Sequence, residues 1–213
     1  MMKSQQKTIL SYPQLLHYRR TVSDMYAGVR NSELTPAQTW VQWKQNRDQL
    51  FGHHPQTALD SDQLAQFRGL NYYPYDPKWR FEAHLDTDVD PEVIPIDTDV
   101  DGTIRAQRVG YVSLALAKQK ISLSIFWLLG YGGGVFLPFR DATNGETTYG
   151  GGRYLLDTIK HADLGQSPDG KLVLDFNYAY NPSCAYNHRW SCPLAPPENW
   201  LSMAVPVGEK KLQ

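Results

Sequence analysis

Charge of either sign is nearly absent as a net quantity: 21 basic against 22 acidic residues leave −1 over 213 residues. Such a chain has no field to gather nucleic acid or an anionic membrane surface, so neither is expected as a partner. A long apolar helix is also lacking. The longest uncharged run, Ile121 to Phe139, covers nineteen residues but contains Ser122, Ser124, four glycines and Pro138. Its first half alternates with period two, which describes a strand, a glycine loop and a second strand instead of a membrane span. The opening MMKSQQKTIL has no apolar stretch of signal-peptide length, so a cytoplasmic location is expected. Cysteine is scarce, with Cys184 and Cys192 as the only pair, and in that compartment a disulfide is unusual.

What is present suits one generous domain, or a domain with an appended helical segment. Hydrophobic residues make up 41% of the chain and aromatic residues 12%, enough for a proper core in a β-rich protein with a ligand-lined interior. Helical signals occupy residues 1–70. Ser11-Tyr12-Pro13 opens a stretch with Leu15, Tyr18, Val22 and Met25 on one side, which Gly28 should end. Thr35-Pro36-Ala37-Gln38 is a capping box with proline at the first helical position. Behind it Ala37, Trp40, Val41, Lys44 and Phe51 lie along one side up to Gly52, and Ser61 to Phe67 reads as a short third helix. The segment NYYPYDP from Asn71 to Pro77 cannot be helical around its prolines and reads as an aromatic linker.

From residue 71 to 213 the period is two. Strands are expected over Trp79–Leu85, Glu92–Asp97, Thr103–Leu116, Lys120–Leu129, Phe136–Thr143, Thr147–Leu156, Lys171–Tyr180 and Leu201–Val207. Asp101-Gly102, Lys118-Gln119 and Pro168-Asp169-Gly170 supply turns. The expected fold is therefore mainly β within an α+β class: an antiparallel barrel or sandwich of about eight strands preceded by two to three helices. The barrel is preferred because closure would leave none of the long apolar strands with an open edge.

The densest functional signal is FLPFRDATNGETTYGGGRY, Phe136 to Tyr154. Asn144-Gly145 is a strong type I′ hairpin signal. On that register Arg140 faces Tyr149 and Phe136 faces Arg153, so Arg140, Tyr149, Gly151 and Arg153 would share one face, with Asp141 beside them. Glycine repeated inside a strand implies a bend, a bulge or a group lying against the backbone. In the later strand Asp175 and Asn177 would face one way, toward Arg140 or Arg153, with Tyr180 and Asn181 following. Asp97-x-Asp99-x-Asp101-Gly102 begins like a calcium loop, but Arg108 stands where the bidentate glutamate is needed, so a solvated acidic turn is expected and no calcium.

Several of these runs carry a resemblance. DATNGETTYGGGRYL at Asp141 to Leu155, LDFNYAYNPSCAY at Leu174 to Tyr186 and CPLAPPEN at Cys192 to Asn199 together resemble an uncharacterised bacterial and archaeal family, domain-of-unknown-function family 1684. FRGLNYYPYDPKWRF and GGGVFLPFRD are similar to it as well, so the likeness covers most of the chain after about Leu34. It implies that the hairpin and the Asp-Phe-Asn strand belong to one signature, and it implies no mechanism.

Cys184, His188 and Cys192 are spaced C-x3-H-x3-C. Three donors without a fourth match no common zinc module, so no metal is expected and reduced structural thiols are preferred to a disulfide. His188 is not positioned by spacing to act as a base for Cys184. His53-His54 reads as a helix end, and His17, His84 and His161 carry no signal. Pro193, Pro196 and Pro197 form a rigid strap, after which Glu198 either holds a turn or closes over the site. No nucleophile, base and orienting group can be assembled from these motifs. The preferred reading is a small-molecule binder whose polar or anionic ligand meets Arg140, Asp141, Tyr149, Gly151, Arg153, Asn177, Tyr180 and Asn181, without a cofactor. A hydrolase or isomerase using Asp175 or Glu198 as acid/base with Arg153 stabilising charge is the alternative. A third reading makes the arginine–carboxylate set a structural plug, and a homodimer is left open.

Overall fold

The computed structural model describes residues 11–99, 102–116 and 119–212. Three helices lead: α1 (Tyr12–Arg30), α2 (Pro36–His53) and α3 (Ser61–Gln66). The capping box of α2 forms as its sequence demands, with the Thr35 hydroxyl and the Gln38 side chain each taking the other's backbone N–H. Asp60 and Gln63 repeat the arrangement on α3. Helix α1 runs through Gly28 to Arg30, because Gly28 does not take the positive φ of a helix stop and Asn31 closes the helix instead. On α2 the buried side is Trp40, Trp43, Arg47, Leu50 and Phe51, one helical stripe. Val41, expected on it, is 42% exposed.

Seven antiparallel strands follow: β1 (Arg80–Ala83), β2 (Val93–Asp97), β3 (Thr103–Leu116), β4 (Gln119–Leu128), β5 (Gly134–Phe139), β6 (Arg153–Asp157) and β7 (Leu172–Asp175). Strands β2 to β6 form one sheet in sequence order, and β1 pairs with β7. The fold is a mixed α+β, sandwich-like arrangement. It is not a closed barrel: β2 and β6 are the two edges of the five-stranded sheet and do not pair with each other. Irregular chain does the work that closure would have done. Leu194 N–H donates to Asp97 O at the β2 edge (2.8 Å), and Tyr154 and Tyr180 exchange backbone bonds at the β6 edge (2.9 and 3.1 Å). The run from Ile121 to Phe139 is strand β4, a glycine loop and strand β5, and no helix among the described residues is long and apolar enough to cross a membrane.

The sheet is buried on both faces at β5 and β6, while β3 and much of β4 alternate buried with exposed residues. One face meets β1, β7 and the C-terminal chain in a cluster holding Trp79, Leu123, Ile125, Phe139, Phe176, Val205 and Val207. The other meets the helices through Tyr26, Trp40, Trp43, Phe126, Phe136 and Tyr154.

Three expected elements differ. The Asn144-Gly145 hairpin is a compact loop, and β5 pairs β6 with Phe139 opposite Arg153 and Phe136 opposite Asp157. The loop closes on itself because Thr143 O accepts three successive N–H groups, from Glu146, Thr147 and Thr148. Strand β7 stops at Asp175, whose carboxylate caps a turn over Phe176–Tyr178. The segment Leu201–Val207 is not a strand. Side chains take up its backbone groups: Asp141 accepts from Val205 N–H, and Arg153 donates to the carbonyls of Val205 and Val207. Of the expected turns, Lys118 and Asp101 lie outside the described residues.

Candidate functional site

Arg153 and Asp141 do meet, but not over an open patch. Their side chains are 0% exposed, and Arg153 Nη2 donates to Asp141 Oδ2 at 2.8 Å. Its two Nη groups also donate to the carbonyls of Val205, Val207 and Glu209, while Nε is buried without a partner. Burial pushes this guanidinium down from its ordinary value, with Asp141 acting in the opposite sense. The other Asp141 oxygen accepts from Thr143 N–H, Thr143 Oγ1 and Val205 N–H. This is a dry lock that ties the loop after β5 to the C-terminal chain. Gly151 is needed for the reason expected: a Cβ there would lie 2.5 Å from Tyr149 Cε1. The expected common face does not form. Arg140 leaves it to stack on Trp200 at 4.6 Å, and Tyr149 turns its hydroxyl toward Cys184.

Asp175 and Asn177 belong to a different knot. Asp175 Oδ1 accepts from Asn177 N–H (2.9 Å) and Nδ2 (2.7 Å), and Oδ2 accepts from Tyr75 OH at 3.3 Å. The Asn177 amide also bridges the backbone N–H and C=O of Asp76. Neither Arg140 nor Arg153 is among these partners. Burial holds the Asp175 carboxyl above its ordinary value. Glu198 is elsewhere again, in a bidentate pair with Arg108. The two residues read from sequence as proton carriers thus share no partner.

Where polar groups and space coincide is the opposite side of the sheet. A cavity of about 330 Å³ lies among α1, α2 and the chain after β6. Tyr18, Val22 and Tyr26 of α1, Arg47 and Phe51 of α2, and Tyr180, Asn181, Trp190 and Cys192 of the C-terminal chain line it. A larger, more open groove of about 700 Å³ runs outside α1 and α2 past His17, His53 and His54, but openness leaves a ligand solvated, and the enclosed cavity is the better site.

The helical stripe of α2 delivers Arg47 into this cavity. Its Nη1 donates to Glu209 Oε2 (2.7 Å) and Tyr72 OH (2.6 Å), and its guanidinium lies 4.9 Å from the Phe51 ring and 5.4 Å from that of Tyr180. Burial works against this charge, yet Glu209 and then the ring of tyrosine hydroxyls hold Arg47 well above its ordinary value. Glu209 also accepts from Asn181 N–H (3.0 Å) and from Tyr186 OH. The Asn181 amide is fixed by Nδ2 donating to Lys210 O, which leaves its Oδ1 buried with no partner. Trp190 Nε1 is likewise buried without one. An acceptor and a donor, both unsatisfied, therefore border one cavity, and such atoms call for an occupant.

At the Cys192 end the thiols of Cys184 and Cys192 are free and buried. One carboxylate oxygen of Asp99 joins them, with all three donor atoms within 4.8 Å of one another. Asp99 Oδ1 accepts from Cys192 N–H at 2.6 Å, and Tyr149 OH contacts Cys184 Sγ at 3.6 Å. A hydrogen bond from Cys184, helped by the charge of Lys160, lowers the Cys192 thiol to about 7 against the effect of burial. The acidic turn at Asp97–Asp101 is thus not merely solvated at Asp99.

Sequence reasoning placed Tyr180 and Asn181 beside Arg140 and Arg153, whereas they line this cavity. It read Tyr18 only as a helix face and Asp99 only as part of an acidic turn, and it named neither Tyr26, Arg47, Trp190 nor Glu209, although Arg47 left a signal: a charged residue on the α2 stripe between Trp43 and Leu50.

Fold and site together define a mixed α+β protein with a partly enclosed aromatic cavity between its helices and the chain after β6. Residues 65–210 match the model of a family described as a protein of unknown function, DUF1684. The chain belongs to that family. It is also similar to the solution NMR structure of an uncharacterised protein of Haloarcula marismortui, at 36% identity and a TM-score of 0.58, covering 81% of this chain and 93% of that one. Among curated proteins no match is found.

Proposed function

We propose that this protein binds a small molecule in the cavity beneath α1 and α2. The observation that carries the reading is the pair of buried, unpartnered atoms bordering it, Asn181 Oδ1 and Trp190 Nε1, of opposite hydrogen-bonding sense. An acceptor and a donor on the wall of one cavity suit a ligand that carries both a donor and an acceptor, such as a lactam, a carboxamide or a nucleobase. Glu209 already offsets Arg47, so that guanidinium does not by itself demand an anionic ligand. Tyr18, Tyr26 and Tyr180 supply its aromatic walls. The volume, about 330 Å³, sits at the small end of ligand sites and limits the occupant to one or two rings.

The test is a thermal-shift and calorimetric screen of lactams, carboxamides and nucleobases. Binders are expected to raise the melting temperature, and Trp190→Phe, which removes the indole N–H and keeps an aromatic body, is expected to weaken them by roughly three- to tenfold. A panel that leaves the melting curve unmoved, or binders indifferent to Trp190→Phe, would sink the reading. An acid/base enzyme using Asp175 or Glu198 with Arg153 gains no support, because Arg153 is a hydrogen-bond partner of neither carboxylate.

A further inference from the structure

We infer that Cys184, Cys192 and Asp99 form a binding site for one thiophilic divalent metal ion, zinc being the type, with a coordination position left open toward the cavity that Cys192 lines. The inference stands on the thiol corner alone and does not rest on the ligand read for the cavity. Zinc bonds of about 2.3 Å to sulfur and 2.1 Å to oxygen make tetrahedral edges of roughly 3.5–3.8 Å. Donor atoms already gathered within 4.8 Å reach those edges by small side-chain rotations. Three protein donors plus an open position is the composition of a reactive zinc centre, whereas a purely structural centre closes with four.

The corner is built, not accidental. Asp99 comes from the end of the β2 edge, far in sequence from the two cysteines, and is tied to them by main-chain bonds. Asp99 N–H donates to Cys192 O at 3.2 Å, while Cys192 N–H orients the Asp99 carboxylate at 2.6 Å. On the other side the Tyr149 ring packs against the bare backbone of Gly151, and its OH lies 3.6 Å from the Cys184 sulfur. A backbone N–H holding a ligating carboxylate and a phenol on a ligating sulfur are the outer contacts that orient metal ligands. His188, which the C-x3-H-x3-C spacing offers as the third donor, is not one of the three; Asp99 takes that role. Binding converts both thiols to thiolates and releases their protons, and no electron is transferred.

The test uses the full chain, reduced and stripped of metal, then titrated with cobalt(II) and zinc(II). Expected are one ion bound per chain, a thiolate-to-cobalt charge-transfer band, and protection of both thiols from alkylation that a chelator reverses. Cys192→Ser and Asp99→Asn should each lose the band or weaken binding at least tenfold. Tyr149→Phe should keep the band and bind roughly tenfold more weakly. Should a serine variant fail to fold, the alkylation protection is read on the unsubstituted chain. Folded, reduced protein that takes up no metal would overturn the inference, as would metal bound without a sulfur band or with Asp99→Asn indifferent. So would a chain isolated two hydrogens light that, once reduced, still binds none, since the corner would then be a disulfide.

Discussion

Among the described residues two arginine–carboxylate pairs are buried, and they are used differently. Arg153 with Asp141 is wholly enclosed, and its guanidinium donates to three main-chain carbonyls as well as to its partner. Arg47 with Glu209 is almost as buried, at 6% and 1% exposure, but both of its hydrogen bonds among the described residues leave from Nη1. The first arginine replaces the neighbouring strand that the C-terminal chain lacks. The second is wrapped in aromatic rings beside a cavity. Arg153 lines none of the cavities described, even though its Nε is buried without a partner, and it is scaffold; Arg47 lines a cavity that carries unpaired polar atoms on its wall, and it marks a site.

The sharpest way to break that contrast is to remove Arg153. Arg153→Met leaves the Asp141 carboxylate buried without its charge partner and frees the carbonyls of Val205 and Val207. A loss of about 3–5 kcal/mol is expected, read by urea denaturation or as absence of soluble protein. A stable variant that had lost only ligand binding would make Arg153 a site residue after all.

Arg47→Met should cost somewhat less, about 3 kcal/mol, because it too strands a buried carboxylate. The informative variant is the double one, Arg47→Met with Glu209→Gln. Glutamine keeps an oxygen for Asn181 N–H, and the uncompensated charge is gone, so most of the stability should return. Any ligand anchored by the guanidinium should still be lost. Calorimetry on the double variant separates the two roles, and full binding there would show that Arg47 is also scaffold.

A third buried carboxylate sharpens the rule from the other side. Asp175 has no arginine among its hydrogen-bond partners in the described residues, and burial raises its carboxyl above 3.8. Between the unfolded value and that raised folded value, the native state holds the proton more tightly than the unfolded chain does. Stability therefore falls as pH rises through this window and is flat above it. Asp175→Asn should remove that decline. Its oxygen keeps both bonds from Asn177, and its N–H donates to a Tyr75 hydroxyl that reverses role. The expected change at neutral pH is within about 1 kcal/mol, favourable if anything. A large loss, or an unchanged pH slope by denaturation at several pH values, would count against this account.

Much of the scaffold was legible because local signals governed it. The capping box at Thr35, the strand Thr103–Leu116 and the alternation of Ile121, Leu123 and Ile125 all act within a few residues. The loop after Arg140 was not, because Asp141 is held by Arg153 and by Val205 N–H, and tertiary bonds outweighed the turn preference of Asn144-Gly145. The site was largely hidden for the same reason. Its walls come from α1, α2 and the chain after Ala179, and no periodicity brings Tyr26, Arg47 and Trp190 together. What could be read was the exception inside a pattern: a lone arginine on an apolar helical stripe, flanked by two tryptophans and two large apolar residues.

The smallest effect is expected where an arginine–carboxylate pair is exposed. Arg108 and Glu198 form the best-aligned bidentate contact, at 3.1 and 2.6 Å, yet their side chains are 25% and 31% exposed. Water screens the attraction and fixing two flexible side chains opposes it, so good geometry carries little energy here. Glu198→Gln should shift stability by less than about 1 kcal/mol, the shift shrinking further as salt is added. It should leave cavity ligands bound as before, because Glu198 does not line the cavity. Denaturation at low and high salt beside calorimetry on one preparation reads both. If the substitution abolished binding or turnover while stability held, the carboxylate would be acting on a bound molecule, and exposure would have misplaced this pair in the ordering.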